Sequence, residues 1–220
     1  MNLLDDLLSW FETNEDDRRF PTLRADPLPW DVSPVPQSVV AIGDLQGDVE
    51  ALAAILLERG IIDSQGQWRG QTAHVVLLGD LVGGHEDSRL LLDFVIRLQS
   101  EAKAAGGDVH ALLGNHDILF AQAEDSKLLK IERKLFEKYL VRGAEEQSFE
   151  ELFRGESLYA KWFRSRNCIL KIGSSLFVHA GVNEWLLENS PSEINTTARA
   201  WIRYWQGIDE KPPKKTRWVV

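Results

Sequence analysis

The chain has 220 residues, 44% of them apolar and 27% charged, with a net charge of −9. That length suits one domain with a sizeable core, and the composition is that of an ordinary globular protein. The acidic balance argues against a nucleic-acid backbone as the main partner; an acidic protein acting on phosphate must bring its own cations, as bound metal would.

There is one cysteine, Cys168, so no internal disulfide forms, which fits a reducing compartment. Residues 1–8 carry Asp5 and Asp6 and no basic segment, so they do not read as a secretory signal. No apolar run approaches the ~20 residues of a membrane span. The expectation is a cytoplasmic protein without a membrane partner.

Leu3, Leu4, Leu7, Leu8 and Phe11 recur at helical spacing and predict an amphipathic helix over residues 1–20. Pro21, Pro27, Pro29, Pro34 and Pro36 then predict an extended linker to residue 37. The main domain is expected from residue 38 to 220. It opens with a buried strand over 38–42 and a helix over 49–59, with Asp48 as N-cap and Gly60 beyond its end. A loop or small ribbon over 60–70 leads to a second buried strand over 73–78. A long helix follows over 88–105, with Leu91, Leu92, Val95, Ile96 and Leu98 as its apolar positions, and then a third strand over 109–113. Two successive βαβ steps predict an α/β fold with a parallel sheet. His74 and His110 fall inside strands and read as structural.

Residues 118–165 read as a mostly helical, charged cap outside the sheet. Residues 127–142 alternate charged and apolar side chains, as the solvated face of a helix does. Strands over 169–172 and 175–178 flank Gly173-Ser174, a two-residue hairpin turn. The remainder carries Trp185, Trp201, Trp205 and Trp218.

Four strand ends carry candidate ligands: Gly43-Asp44-Leu45-Gln46-Gly47, Gly79-Asp80, Gly114-Asn115-His116-Asp117 and Val178-His179-Ala180-Gly181. Open α/β sheets place their ligands at that end. Each motif alone has a plain reading: Gly-Asp as a turn, Asn-His-Asp as a helix start, His179 as a core histidine. Together they supply carboxylate, amide and imidazole donors, the set that a pair of divalent ions needs. One Asp can bridge two ions ~3.5–4 Å apart. His116 is placed to act as general acid, with Asp117 beside it.

In that order the motifs resemble the calcineurin-like metallophosphoesterase superfamily. The stretch from Ala104 to His116, AAGGDVHALLGNH, is most similar to the bacterial-type Shewanella-like protein phosphatases. The resemblance covers about residues 38–205. It implies a β-sheet core flanked by helices and a two-metal centre whose bridging water attacks phosphorus in line. By motif, Asp44 would bind the first metal, Asp80 would bridge, and Asn115 and His179 would bind the second. His116 and Asp117 would be the catalytic pair. The implied substrate is a phosphate monoester, phosphoprotein included, and the implied cofactor is two divalent ions, manganese above iron or zinc.

Three departures from the family pattern stand out. Gln46 replaces the usual histidine ligand; as a neutral oxygen donor it would tilt the site to manganese or magnesium. Gly83-Gly84-His85 replaces the usual Asp-Arg-Gly, removing a phosphate-gripping arginine. Arg89 and His85 are the remaining candidates to bind substrate there, although the first helical turn predicts a solvent-facing Arg89. Finally, no histidine follows His179, so the family's last metal-binding histidine and much of its second sheet are expected to be missing. Exposed strand edges and self-association would follow, and four late tryptophans would be hard to bury. Against the enzyme stands a competing reading, a catalytically impaired or truncated phosphatase fold acting as a binding module. Gln46 also fits a diadenosine tetraphosphate-type nucleotide hydrolase, a third reading.

Overall fold

Residues 26–84, 87–122 and 149–213 are described by the computed structural model. The expected helix over 1–20, the charged stretch 127–142, His85 and Trp218 lie outside them.

Strand β1 (Asp31–Val32) belongs to a second sheet; the first is made of three parallel strands, β2 (Val39–Ile42), β3 (His74–Leu77) and β4 (Asp108–Ala111), in the order β2-β3-β4. Helix α1 (Val49–Glu58) joins β2 to β3, and α2 (Ser88–Ala104) joins β3 to β4. As the sequence predicts, Asp48 caps α1, its carboxylate accepting from Ala51 N at 2.9 Å. Strand β2 is less buried than expected. It lies at the sheet edge, and Val39 and Ala41 are exposed.

The second sheet has the order β1-β5-β6, with β1 (Asp31–Val32) parallel to β5 (Ile169–Ile172), and β6 (Ser175–Val178) antiparallel to it. The hairpin turn at Gly173-Ser174 is where the sequence places it. The Pro-rich segment is more than a linker: Lys171 N donates to Trp30 O at 2.7 Å, and the Asn167 side chain donates to the carbonyls of Leu28 and Pro29. The prolines flank this edge strand, with Pro29 before it and Pro34 after it, so none removes a ladder hydrogen bond. The two sheets meet through Val76 and Leu112 on one side and Leu170 and Ile172 on the other.

The larger core fills the other face of the first sheet and is continuous with α3 (Asn115–Gln122), α4 (Phe149–Leu152) and α5 (Leu158–Ser165). Helix α5 packs onto α2, which is buried nearly all round. Its polar residues find partners there. Tyr159 donates to Asp93 at 2.5 Å, and Trp162 Nε1 donates to Gln99 Oε1 at 2.7 Å. Satisfied in this way, a buried polar group costs little.

Two further helices close the described chain, α6 (Glu184–Glu188) and α7 (Pro191–Trp205). Ser190 and Glu193 form a capping box at the start of α7, with Pro191 in its first turn. Asn195 on α7 is fully buried and holds β5, accepting from Cys168 N and Ile169 N and donating to Ile169 O. Trp201 and Trp205 are half-buried on α7, their rings 5.4 Å apart, so the chain covers much of them itself. Leu176, Val182 and Leu187 stay exposed around the β6 edge. No helix among the described residues is long and apolar enough to cross a membrane.

Candidate metal centre

All four motifs lie just beyond strand ends: Asp44 after β2, Asp80 after β3, Asn115 after β4 and His179 after β6. The loops are then locked to one another. Leu45 N and Gln46 N both donate to Asp80 O, at 3.1 and 2.8 Å, and Gly47 N donates to Leu81 O at 2.7 Å. Asp80 sits at φ 47° and Gln46 at φ 45°, left-handed angles that cost a non-glycine residue energy. Such strain collects at functional sites, where the surrounding structure enforces it.

Glycine lets the β3 and β4 loops cross. A Cβ on Gly114 would stand 2.2 Å from Asp80 Oδ1, and one on Gly79 would stand 2.6 Å from Gly114 N. At that crossing Asp80 Oδ1 accepts from His116 N at 2.8 Å. Asp80 is buried, and burial holds its carboxyl above its ordinary value against the opposing pull of the His116 N–H.

His179 stands among oxygens on both sides. Its Nδ1 lies 3.2 Å from Leu78 O and 3.7 Å from Asp44 Oδ1. Its Nε2 lies 3.0 Å from Asn115 Oδ1 and 3.5 Å from Asp80 Oδ2. A neutral imidazole donates from one nitrogen only. In the tautomer that gives Nδ1–H to the Leu78 carbonyl, the Nε2 lone pair is turned toward Asn115 Oδ1 and Asp80 Oδ2. A cation relieves that arrangement, and a histidine whose other nitrogen is held by a backbone carbonyl is a typical metal ligand. Ligand atoms of Asp44, Asp80 and His179 all lie within 4.8 Å of one another. The donor set, hard oxygens with one imidazole, suits a divalent ion.

The remaining expected residues divide. The His116 ring lies over Gly83, where a Cβ would stand 2.4 Å from its Nδ1; Gly83, at φ 118°, leaves room for the ring. Asp117 is fully buried beneath the site. Its Oδ1 accepts from Leu81 N at 3.1 Å, and its Oδ2 from Gly114 N at 2.9 Å and Arg166 at 3.0 Å. Gln46 is exposed, its amide oxygen near Gly84, and its side chain makes no hydrogen bond among the described residues. Arg89 does not face solvent: it lies 4.0 Å from Asp93 on the side of α2 that meets Tyr159. Arg166 was not foreseen. Only its place just before β5, two strands ahead of His179, connects it to the site in sequence.

Residues 38–220 match the model of the calcineurin-like phosphoesterase family. Shewanella-like protein phosphatase 2 of Arabidopsis thaliana is 27% identical over 208 residues, covering 78% of this chain and 53% of that protein. Shewanella-like protein phosphatase 1 of Plasmodium berghei is 24% identical, covering 74% and 44%. Among solved structures, a cold-active protein-tyrosine phosphatase of a psychrophilic Shewanella species superposes with a TM-score of 0.69 at 29% identity, covering 81% of this chain and 52% of that one. The chain thus spans about half the length of the relatives it matches.

Proposed function

Because the chain belongs to the calcineurin-like phosphoesterase family, in which divalent metal ions are implied, we propose that it hydrolyses phosphate monoesters, phosphoproteins among them, as a cytoplasmic enzyme carrying two divalent ions, manganese by preference. The convergence of Asn115 Oδ1 and Asp80 Oδ2 on Nε2 of His179, with Asp44 Oδ1 beside the same ring, carries this reading. Asp44, Asp80, Asn115 and His179 are the residues that would hold the ions, with Gln46 at the rim. When bound, such ions supply an activated water and neutralise phosphoryl charge.

The chain's own residues do the rest. His116, on the first turn of α3, is held with its ring free of any hydrogen bond among the described residues, so it can give a proton to the departing ester oxygen. Its backbone N–H fixes Asp80, tying acid and ligand together. The preference for manganese follows from hard oxygen donors and the amide at position 46.

A phosphocysteine route does not fit. Burial pushes the thiol of Cys168 up to about 12, so it stays protonated and unreactive. The similarity to a protein named a tyrosine phosphatase therefore points to phosphotyrosine as a candidate substrate, not to cysteine chemistry.

The test is p-nitrophenyl phosphate hydrolysis by the purified chain with and without manganese. Turnover that requires the metal and is lost in Asp80→Asn supports the enzyme. A folded protein that binds manganese without turnover supports the binding-module reading.

A further inference from the structure

Arg166 is fully buried, yet nothing in the proposed chemistry uses it. It follows the last residue of α5. Its guanidinium stacks on Trp162 at 4.4 Å and Phe163 at 5.1 Å from the ring centroids. Nε donates to Ala111 O at 3.1 Å, and Nη2 donates to Leu112 O and, at 3.0 Å, to Asp117 Oδ2. One side chain thus grips the end of β4 and the first turn of α3, the two flanks of the Gly114-Asn115-His116 loop. The backbone beside it reinforces the grip, because Leu113 N donates to Asn167 O at 2.9 Å.

Asp117 carries the connection onward. Its two oxygens accept from Leu81 N in the β3 loop and Gly114 N in the β4 loop. With the Arg166 guanidinium, they take three N–H groups in all, and none of the three contacts is spare. The Asp117 side chain has no exposed surface, and the equally buried Arg166 guanidinium is its cationic partner at 3.0 Å. A lysine would supply the charge but not the fork that reaches two carbonyls and a carboxylate at once.

We propose that Arg166 is a positioning residue of the metal centre: through Asp117 it sets the spacing between the Asp80 loop and the Asn115-His116 loop. This rests on the metal-centre reading above. Outer residues that orient metal ligands typically change metal affinity by 10–100-fold when altered.

The test compares Arg166→Lys and the double variant Arg166→Met/Asp117→Asn, which removes the pair without leaving a buried charge, with the unaltered chain. Ile62→Ala serves as a control; it lies in the core just past the C-terminal end of α1, away from the metal loops, and lowers stability without touching them. Far-UV circular dichroism and melting establish the folded fraction, and calorimetric titration with manganese chloride gives affinity. We expect both Arg166 variants to bind manganese at least 10-fold more weakly at a temperature well below their melting points, with kcat falling more than KM changes, while Ile62→Ala binds normally. Variants that bind like the unaltered chain would overturn the positioning role alone. Ile62→Ala weakening binding as much as they do would make the effect one of general stability and overturn it as well. An unaltered chain that fails to bind manganese would overturn the metal-centre reading first, and this inference with it.

Discussion

Gly114→Ala is the sharpest perturbation of the site. The new methyl would stand 2.2 Å from Asp80 Oδ1 and 2.3 Å from Asp80 N, both fixed parts of the facing loop. Carbon rarely approaches such atoms within 3.0 Å, so the loops must part by at least 0.8 Å. The φ of Gly114 lies outside the left-handed region, so the effect is one of space and not of backbone preference. Overpacking of this kind costs roughly 1–3 kcal/mol, which lowers the melting temperature by roughly 2–12 °C at ~2–4 °C per kcal/mol for a chain of this size. The functional loss should be larger. Metal–ligand distances tolerate only about ±0.2 Å, and a ~1 Å misplacement can cost ~10²-fold in rate. Calorimetry with manganese and p-nitrophenyl phosphate turnover, beside Gly43→Ala as control, measures both. A Cβ on Gly43 meets nothing within 4 Å, so that variant should bind metal normally. Gly114→Ala with unaltered manganese affinity and rate would refute the claim that the loop crossing sets the ligand geometry.

Asp80→Asn should melt above the unaltered chain in EDTA at neutral pH. Asp80 in the folded state holds its proton more tightly than in the unfolded chain, so stability falls as pH rises from the ordinary carboxylate range through that raised value, a penalty that the neutral amide does not carry. The same variant should lose the stabilisation by manganese, which for the unaltered chain approaches about 2.7 kcal/mol at 100 times the dissociation constant. Differential scanning fluorimetry reads both effects; equal melting in EDTA and equal response to manganese would contradict them. His116→Asn should lower kcat on alkyl phosphates by roughly 10²–10⁴-fold and much less on p-nitrophenyl phosphate, whose leaving group needs no proton, with manganese affinity unchanged. A uniform loss on both substrates would deny the acid role. Asn195→Ala orphans the N–H groups of Cys168 and Ile169, at roughly 1–3 kcal/mol for each group left buried and unpaired, and should lower the denaturation midpoint in urea; an unchanged midpoint would mean that β5 does not depend on it.

The parts of this protein legible in sequence are those that local pattern determines. Strand ends marked by glycine gave the Asp44, Asp80 and Asn115 loops, and Asp48 marked the start of α1 because a cap is decided within four residues. The Ser190-to-Glu193 capping box at the start of α7 is local in the same way. What could not be read depends on partners distant in sequence. Strand β1 hides in a proline-rich run because only β5, about 140 residues on, gives it a ladder, as the Asp31–Lys171 pairing shows. Arg89 turned inward because α5 covers α2, which periodicity within α2 does not reveal. Arg166 carries no motif at all. Its place is fixed by Asp117, 49 residues away in sequence, and by Trp162 and Phe163 beneath it.

A crystal of the chain soaked in manganese chloride, with anomalous scattering collected at the manganese edge, tests the central claim most directly. Anomalous peaks are expected within ligand distance of Asp44, Asp80, Asn115 and His179, with Asp80 touching both ions if two are bound. A clean difference map with no peak at His179 Nε2, from crystals that diffract well after soaking, would contradict it.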